Sequence, residues 1–230
     1  TYEALGTKER VVITHGSCFP ALGRSSYIGS PYGSAAKEYT KFLMLYGFNG
    51  NQLGPGGELE IIKGEIQPSP YNSSAFAKNK LFIDLEELTK DKYGKILSQE
   101  TFNNVTKLAE ADDKNYDMTD FNEAFKTYNT ALKESYNNFK AKVAKGQPEA
   151  LTNKEFEKFL DKHDDRLTEE GLFHVLSKKY GTDRFEEWPD EENKTFIAGV
   201  HNGDMDAIEK YYDMVDANEN EINQYKFEQF

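Results

Sequence analysis

Cysteine is almost missing from this 230-residue chain. Cys18 stands alone, so it has no partner for an internal disulfide and cannot complete a cysteine-based zinc site. With no histidine motif to activate it, Cys18 reads as a buried, inert thiol rather than a nucleophile. There is no long apolar run, and no basic segment followed by an apolar one, so the expectation is a soluble, cytoplasmic protein without a membrane span. Basic residues are in deficit, 28 Lys+Arg against 40 Asp+Glu, for a net charge of −12. A surface of that sign repels polyanions, which argues against nucleic acid or anionic membrane as an unassisted partner and favours a neutral one.

Other chemistry is excluded by what its motifs lack. No glycine-rich segment runs into Lys-Ser or Lys-Thr, so nothing cradles phosphate. His15, His163, His174 and His201 show no short metal-ligand spacing. Asp216, Asn218 and Asn220 open like a calcium loop, but Glu221 stands where that loop needs glycine and Phe227 where it needs glutamate. No metal site and no phosphate-cradling loop is therefore expected.

What the chain does contain is unevenly placed. Residues 1–90 hold nine Lys+Arg and nine Asp+Glu, eleven of the 17 glycines and five of the seven prolines, so all of the net negative charge falls later. The boundary near residue 90 therefore joins a neutral, loop-rich part to an acidic, helical one. In the first part, Val11–Thr14 reads as a buried strand leading into a long loop. A helix is expected from Ser34, with Tyr39, Phe42, Leu43 and Tyr46 on one buried face and Gly47 as its stop. A second strand should follow at Phe48–Leu53 if the β/α rhythm holds, although Asn49, Gly50, Asn51 and Gln52 are poor strand formers.

The second part steps by three and four residues. Phe121, Phe125, Tyr128, Leu132, Tyr136, Phe139 and Val143 predict a long helix whose aromatic stripe is core, with Asp120 and Glu123 spaced as a capping box. Thr152 with Glu155 predicts a shorter helix burying Phe156, Phe159 and Leu160, and a further helix runs from about Thr168 to Tyr180, ended by Gly181. Two helical pieces are expected between Asp204 and the last residue. The paired carboxylates Asp164-Asp165 and Glu186-Glu187, and the run Asp190-Glu191-Glu192, fall on polar positions and read as solvated surface.

The stretch Gly54–Leu85 stands apart. It combines glycines at 54, 56 and 57, a Ser69-Pro70-Tyr71 turn and a small-residue run before Leu81-Phe82-Ile83. It reads as a loop built to meet a ligand: glycine lets backbone approach closely, and Pro70 presents Tyr71 on a stiff support suited to a sugar ring. Ser69-Pro70-Tyr71-Asn72-Ser73-Ser74-Ala75-Phe76-Ala77-Lys78-Asn79, preceded by Leu53-Gly54-Pro55, resembles the signature loop of the 4-α-glucanotransferases (amylomaltases, or disproportionating enzymes) of glycoside hydrolase family 77. Trp188-Pro189 after Gly181, and the closing Tyr225-Lys226-Phe227-Glu228-Gln229-Phe230, are similar to segments of the same family.

The resemblance implies an α/β fold, the first part of a (β/α)₈ TIM barrel with two early strands and a large helical insertion. It divides the chain into a barrel start at 1–90 with the glucan loop, an insertion at 91–203, and a helix at 204–230 leading back to the barrel. It also implies binding of α-1,4-glucans, with maltooligosaccharides or glucose as acceptors, and no cofactor. Tyr71 would pack on a glucose ring, and Ser69 and Asn72 would bond sugar hydroxyls. The family's three catalytic carboxylates lie on later strands and have no counterpart here, so the chain alone is expected to be inactive, with the remaining C-terminal part of the barrel as its natural complement. Rival readings are a non-catalytic glucan-binding relative and an acidic helical interaction protein.

Overall fold

The computed structural model describes residues 6, 8–16, 19, 30–106, 120–146 and 150–230. Cys18 and most of the long loop after the first strand lie outside the described residues. The fold is mixed, seven α-helices and six short strands among the described residues, and the chain divides into two compact units. The first comprises residues 1–58 and 69–135, the second 59–68 and 136–230.

In the first unit, β1 (Val11–Thr14) and β2 (Gly50–Leu53) run parallel, Val11 opposite Gly50 and Thr14 opposite Leu53. Helix α1 (Ser34–Leu45) connects them, and Gly47 with φ +82° ends it as its position predicts. The second strand forms in spite of its composition because pairing overrides propensity. The Arg10 N–H donates to Asn49 Oδ1 at 2.7 Å, Asn49 Nδ2 donates to the Lys8 carbonyl at 3.2 Å, and a Cβ on Gly50 would stand 3.0 Å from Val11 Cγ2.

Two expectations about burial are corrected here. Strand β1 is not buried throughout: Thr14 is, with its hydroxyl 3.1 Å from that of Tyr39 on α1, but Val11 and Ile13 are 50% and 72% exposed. Successive side chains of a strand point to opposite faces, and only the face towards α1 is covered. On α1 itself Leu43 is buried and Tyr39 partly so, whereas Phe42 and Tyr46 lie exposed with their rings 4.7 Å apart.

Beyond β2 the chain forms β3 (Gly57–Leu59), which pairs with β6 (Ser73–Lys78), and between them a hairpin of β4 (Ile61–Ile62) and β5 (Glu65–Ile66). The Gly54–Leu85 stretch is thus not one loop, as its glycines and prolines suggest, but a short sheet with an inserted hairpin. Helix α2 (Gln99–Val105) is capped by Ser98, whose Oγ accepts from the Thr101 N–H at 3.1 Å. Helix α3 (Phe121–Ala144) starts where its capping pair predicts, Asp120 Oδ1 accepting from the Glu123 N–H at 3.0 Å. The core of this unit is Leu81, Leu85, Leu97, Tyr128 and Leu132, each 1% exposed or less.

The second unit is helical: the end of α3, then α4 (Ala150–Tyr180), α5 (Glu191–His201), α6 (Met205–Ala217) and α7 (Glu219–Gln229). The two helices expected between Thr152 and Tyr180 are one. Neither glycine nor proline interrupts residues 152–170, and Leu167 at the expected break is fully buried, so nothing ends the first helix. Gly171 in the helix interior admits a neighbour: a Cβ there would meet Ile222 Cγ2 of α7 at 3.1 Å. The aromatic stripe of α3 is core as expected, with Tyr136 and Phe139 5.5 and 5.1 Å from Phe227, and Phe139 5.6 Å from Phe156.

Candidate functional site

Parallel strands release their following loops at the same end of the ladder, and in open α/β sheets ligands collect at that carboxyl end. Thr14 and Leu53 are the last residues of β1 and β2 and stand opposite each other, so the next residues, His15 and Gly54, emerge together. The closeness is steric. A Cβ on Gly54 would lie 3.0 Å from His15 Cε1, and one on Gly16 would lie 2.4 Å from the Phe82 ring. The glycine at 54 therefore makes room for a protein imidazole, a different partner from the ligand that its place in the sequence suggests.

Tyr71 completes the group. Pro70–Asn72 form a single 3₁₀ turn, closed by the Asn72 N–H donating to the Ser69 carbonyl at 3.2 Å. The Tyr71 ring is 78% exposed and meets the edge of His15 with centroids 6.1 Å apart and planes at 78°. Asn72 is exposed and Ser69 half-buried. The structure thus brings Tyr71 beside His15 and Gly54 at the carboxyl ends of two strands. His15 was read from the sequence only as a residue without metal-ligand spacing. Its position one residue past a strand end, matched by Gly54 past the next, was the signal available.

Behind the turn, Asn79 fixes the chain. Its N–H donates to the Gly56 carbonyl at 3.1 Å and its Oδ1 accepts from the Leu81 N–H at 3.0 Å. Buried Lys80 donates to Asn129 Oδ1 at 2.8 Å and lies 4.5 Å above the Phe125 ring. Its charge is thereby used within the unit.

Several of the paired carboxylates make contacts within the scaffold. Asp164 accepts from Lys226 at 2.7 Å, Glu187 lies 3.6 Å from Arg184, Asp190 caps α5 through the Asn193 N–H at 3.1 Å, and Glu191 pairs with Lys194 at 2.6 Å. Asn218, the third residue of the calcium-like run, turns the chain between α6 and α7, its Nδ2 donating to the Met214 carbonyl at 2.8 Å. Among the described residues no three His, Cys, Asp or Glu side chains converge as metal ligands, and no helix is long and apolar enough to cross a membrane.

A profile of glycoside hydrolase family 77, described as 4-alpha-glucanotransferase, matches residues 22–230. The chain belongs to the 4-α-glucanotransferase family. Among solved structures, the amylomaltase from Streptococcus agalactiae in complex with acarbose superposes with a TM-score of 0.70 at 19% identity. The match covers 96% of this chain and 38% of that amylomaltase, so the chain spans well under half the length of this structural relative. No curated protein matches the sequence. The matched span includes the Ser69-Pro70-Tyr71 turn, the Trp188-Pro189 pair and the Tyr225–Phe230 segment. Trp188 of that pair is buried, its Nε1 donating to the Thr182 carbonyl at 2.9 Å.

Proposed function

We propose that the chain is the N-terminal portion of a 4-α-glucanotransferase that moves α-1,4-glucan segments between maltooligosaccharides, or onto glucose, with retention of configuration. In this reading residues 1–90 begin a (β/α)₈ barrel and carry the glucan loop, 91–203 are the helical insertion, and 204–230 lead back towards the barrel. Val11 and Ile13, on the face of β1 turned away from α1, are then barrel-interior residues whose cover comes from later strands, the remaining C-terminal part of the barrel. The protein works in the cytoplasm on starch, glycogen or maltodextrin.

One observation carries the reading: in a family 77 chain, Tyr71 stands exposed beside His15 and Gly54 at the carboxyl ends of two parallel strands. The Tyr71 ring offers a face to the apolar side of a glucose, and Ser69 and Asn72 supply hydrogen bonds to its hydroxyls. Retaining transfer needs a nucleophilic and an acid/base carboxylate about 5–5.5 Å apart, and both are assigned to later strands. The acarbose bound to the S. agalactiae amylomaltase makes acarbose and maltotriose suitable probes. Calorimetric titration of the full-length protein with both should give saturable binding that weakens in Tyr71→Ala. Absence of binding by the unmodified protein would sink the proposal.

A further inference from the structure

His15, Gly16, Gly54, Tyr71 and Phe82 all belong to the first unit. Gly16 and Gly54 lie outside the left-handed region, so backbone conformation does not call for glycine at either position. Space does. A Cβ on Gly54 would stand 3.0, 3.1 and 3.4 Å from His15 Cε1, Nε2 and Nδ1, so the imidazole fills the place of a side chain there. On the other side, a Cβ on Gly16 would run into the Phe82 ring, with Cε2 at 2.8 Å, and one on Gly56 would touch the same atom at 3.9 Å. That ring is buried and its backbone is tied at both polar groups: Ser30 Oγ donates to the Phe82 carbonyl, and the Phe82 N–H donates to the Asn79 carbonyl at 3.0 Å. The chain leaving β1 is thus seated on a fixed ring, and the imidazole of His15 is confined against Gly54.

Tyr71 is placed differently. Its 3₁₀ turn sets the backbone, but an exposed side chain still has several staggered wells to choose among. The imidazole meets its ring with centroids 6.1 Å apart and planes at 78°, the near-perpendicular arrangement that aromatic pairs favour. We infer that His15 is a positioning residue for Tyr71: held between Gly54 and the Phe82-backed Gly16, the imidazole selects the rotamer in which the Tyr71 ring meets the sugar, and residue 54 is glycine in order to admit it. This role rests on the glucan reading only for the kinetic half of its test.

A double-mutant cycle in the full-length protein separates positioning from direct sugar contact, because a residue that acts through Tyr71 has nothing to act on once that ring is gone. His15→Ala should raise the maltotriose KM roughly fivefold, the size of one aromatic pair, with kcat within about twofold. In a Tyr71→Ala background the same change should leave KM within about 1.5-fold. Gly54→Ala adds only a methyl against the imidazole. It should raise KM roughly threefold, again only while Tyr71 is present, and it decides the matter if His15→Ala does not fold. Equal fold-changes in both backgrounds overturn the inference. Without ligand, the His15 ring protons of a histidine-labelled sample should shift in Tyr71→Ala, which removes the neighbouring ring current, and hold in Tyr71→Phe. Unmoved signals in Tyr71→Ala also overturn it. A protein that binds no maltotriose overturns the glucan reading instead, and the ring-proton shift still decides whether His15 holds Tyr71.

Discussion

Glu134 on α3 accepts from the Ser98 N–H at 2.7 Å and from the Thr101 hydroxyl; burial raises its carboxyl, but the two donors outweigh burial and hold it below its ordinary 4.5. A carboxylate with a depressed native pKa contributes stability that is fully present above 4.5 and is lost as pH falls through the lower native value. Asp183 has the opposite sign: its pKa is raised from 3.8, so its contribution is fully present below 3.8 and is lost as pH rises through the native value. Urea midpoints measured across the acid range should therefore show Glu134→Gln losing stability at neutral pH while Asp183→Asn flattens the decline on its own limb. A pH profile identical to that of the unmodified protein in both variants would refute these assignments. For Tyr71, stacking supplies contact area, so Tyr71→Ala should remove on the order of 1–2 kcal/mol of glucan binding and shift the transfer-to-hydrolysis ratio, with Tyr71→Phe much milder. If Tyr71→Ala lowers only the melting temperature, the ring is structural.

At the scale of elements, the ends of α1 and α3 were legible because a few residues decide them locally: Gly47 supplies the left-handed stop and Asp120 the cap. The continuity of α4 was not legible, because the polar run Asp161–Arg166 looks like a break until Leu167 is seen to be buried. The β4–β5 hairpin escaped for a related reason: Lys-Gly is a weaker turn signal than Asn-Gly or Asp-Gly, and the clasp that holds it comes from residues about 120 positions away, Asp183 to Ile61. Gly171 tests how elements meet. Placing leucine there drives a side chain into Ile222 and Tyr225 of α7, each within 3.4 Å of the added Cβ. Gly171→Leu should cost about 2–3 kcal/mol in chemical denaturation in spite of leucine's better helix propensity, and a stabilised variant would show that the helices can part.

For the whole molecule, the face of β1 carrying Val11 and Ile13, with Phe42 and Tyr46 on α1, is a large apolar exposure for one β/α unit. The 230-residue chain expressed alone should self-associate in light scattering at micromolar concentration. A monodisperse monomer with a cooperative melt would count against the barrel-start reading. The same chain should not disproportionate maltotriose with or without added glucose. Longer maltooligosaccharides, at a rate abolished by replacing Asp164, Asp165, Glu186 or Glu187, would move those residues from scaffold to chemistry.

The sequence by itself determined the family, because the Ser69–Asn79 loop and the Trp188-Pro189 pair are local strings, and it determined the helices whose burial repeats every three or four residues. It also placed the exposed tyrosine, since Pro70 and the turn around it act within a few residues. The β/α rhythm placed a strand at Phe48–Leu53, but tertiary structure alone decided that Gly50–Leu53 pairs with β1 in spite of its composition, that His15 faces Gly54 and Tyr71, and that Asp183 clasps Ile61. In each case the deciding partner is distant in the chain. Hydrogen bonds and steric fit between such partners leave no periodicity in the sequence, so they become visible only once the backbone has brought them together.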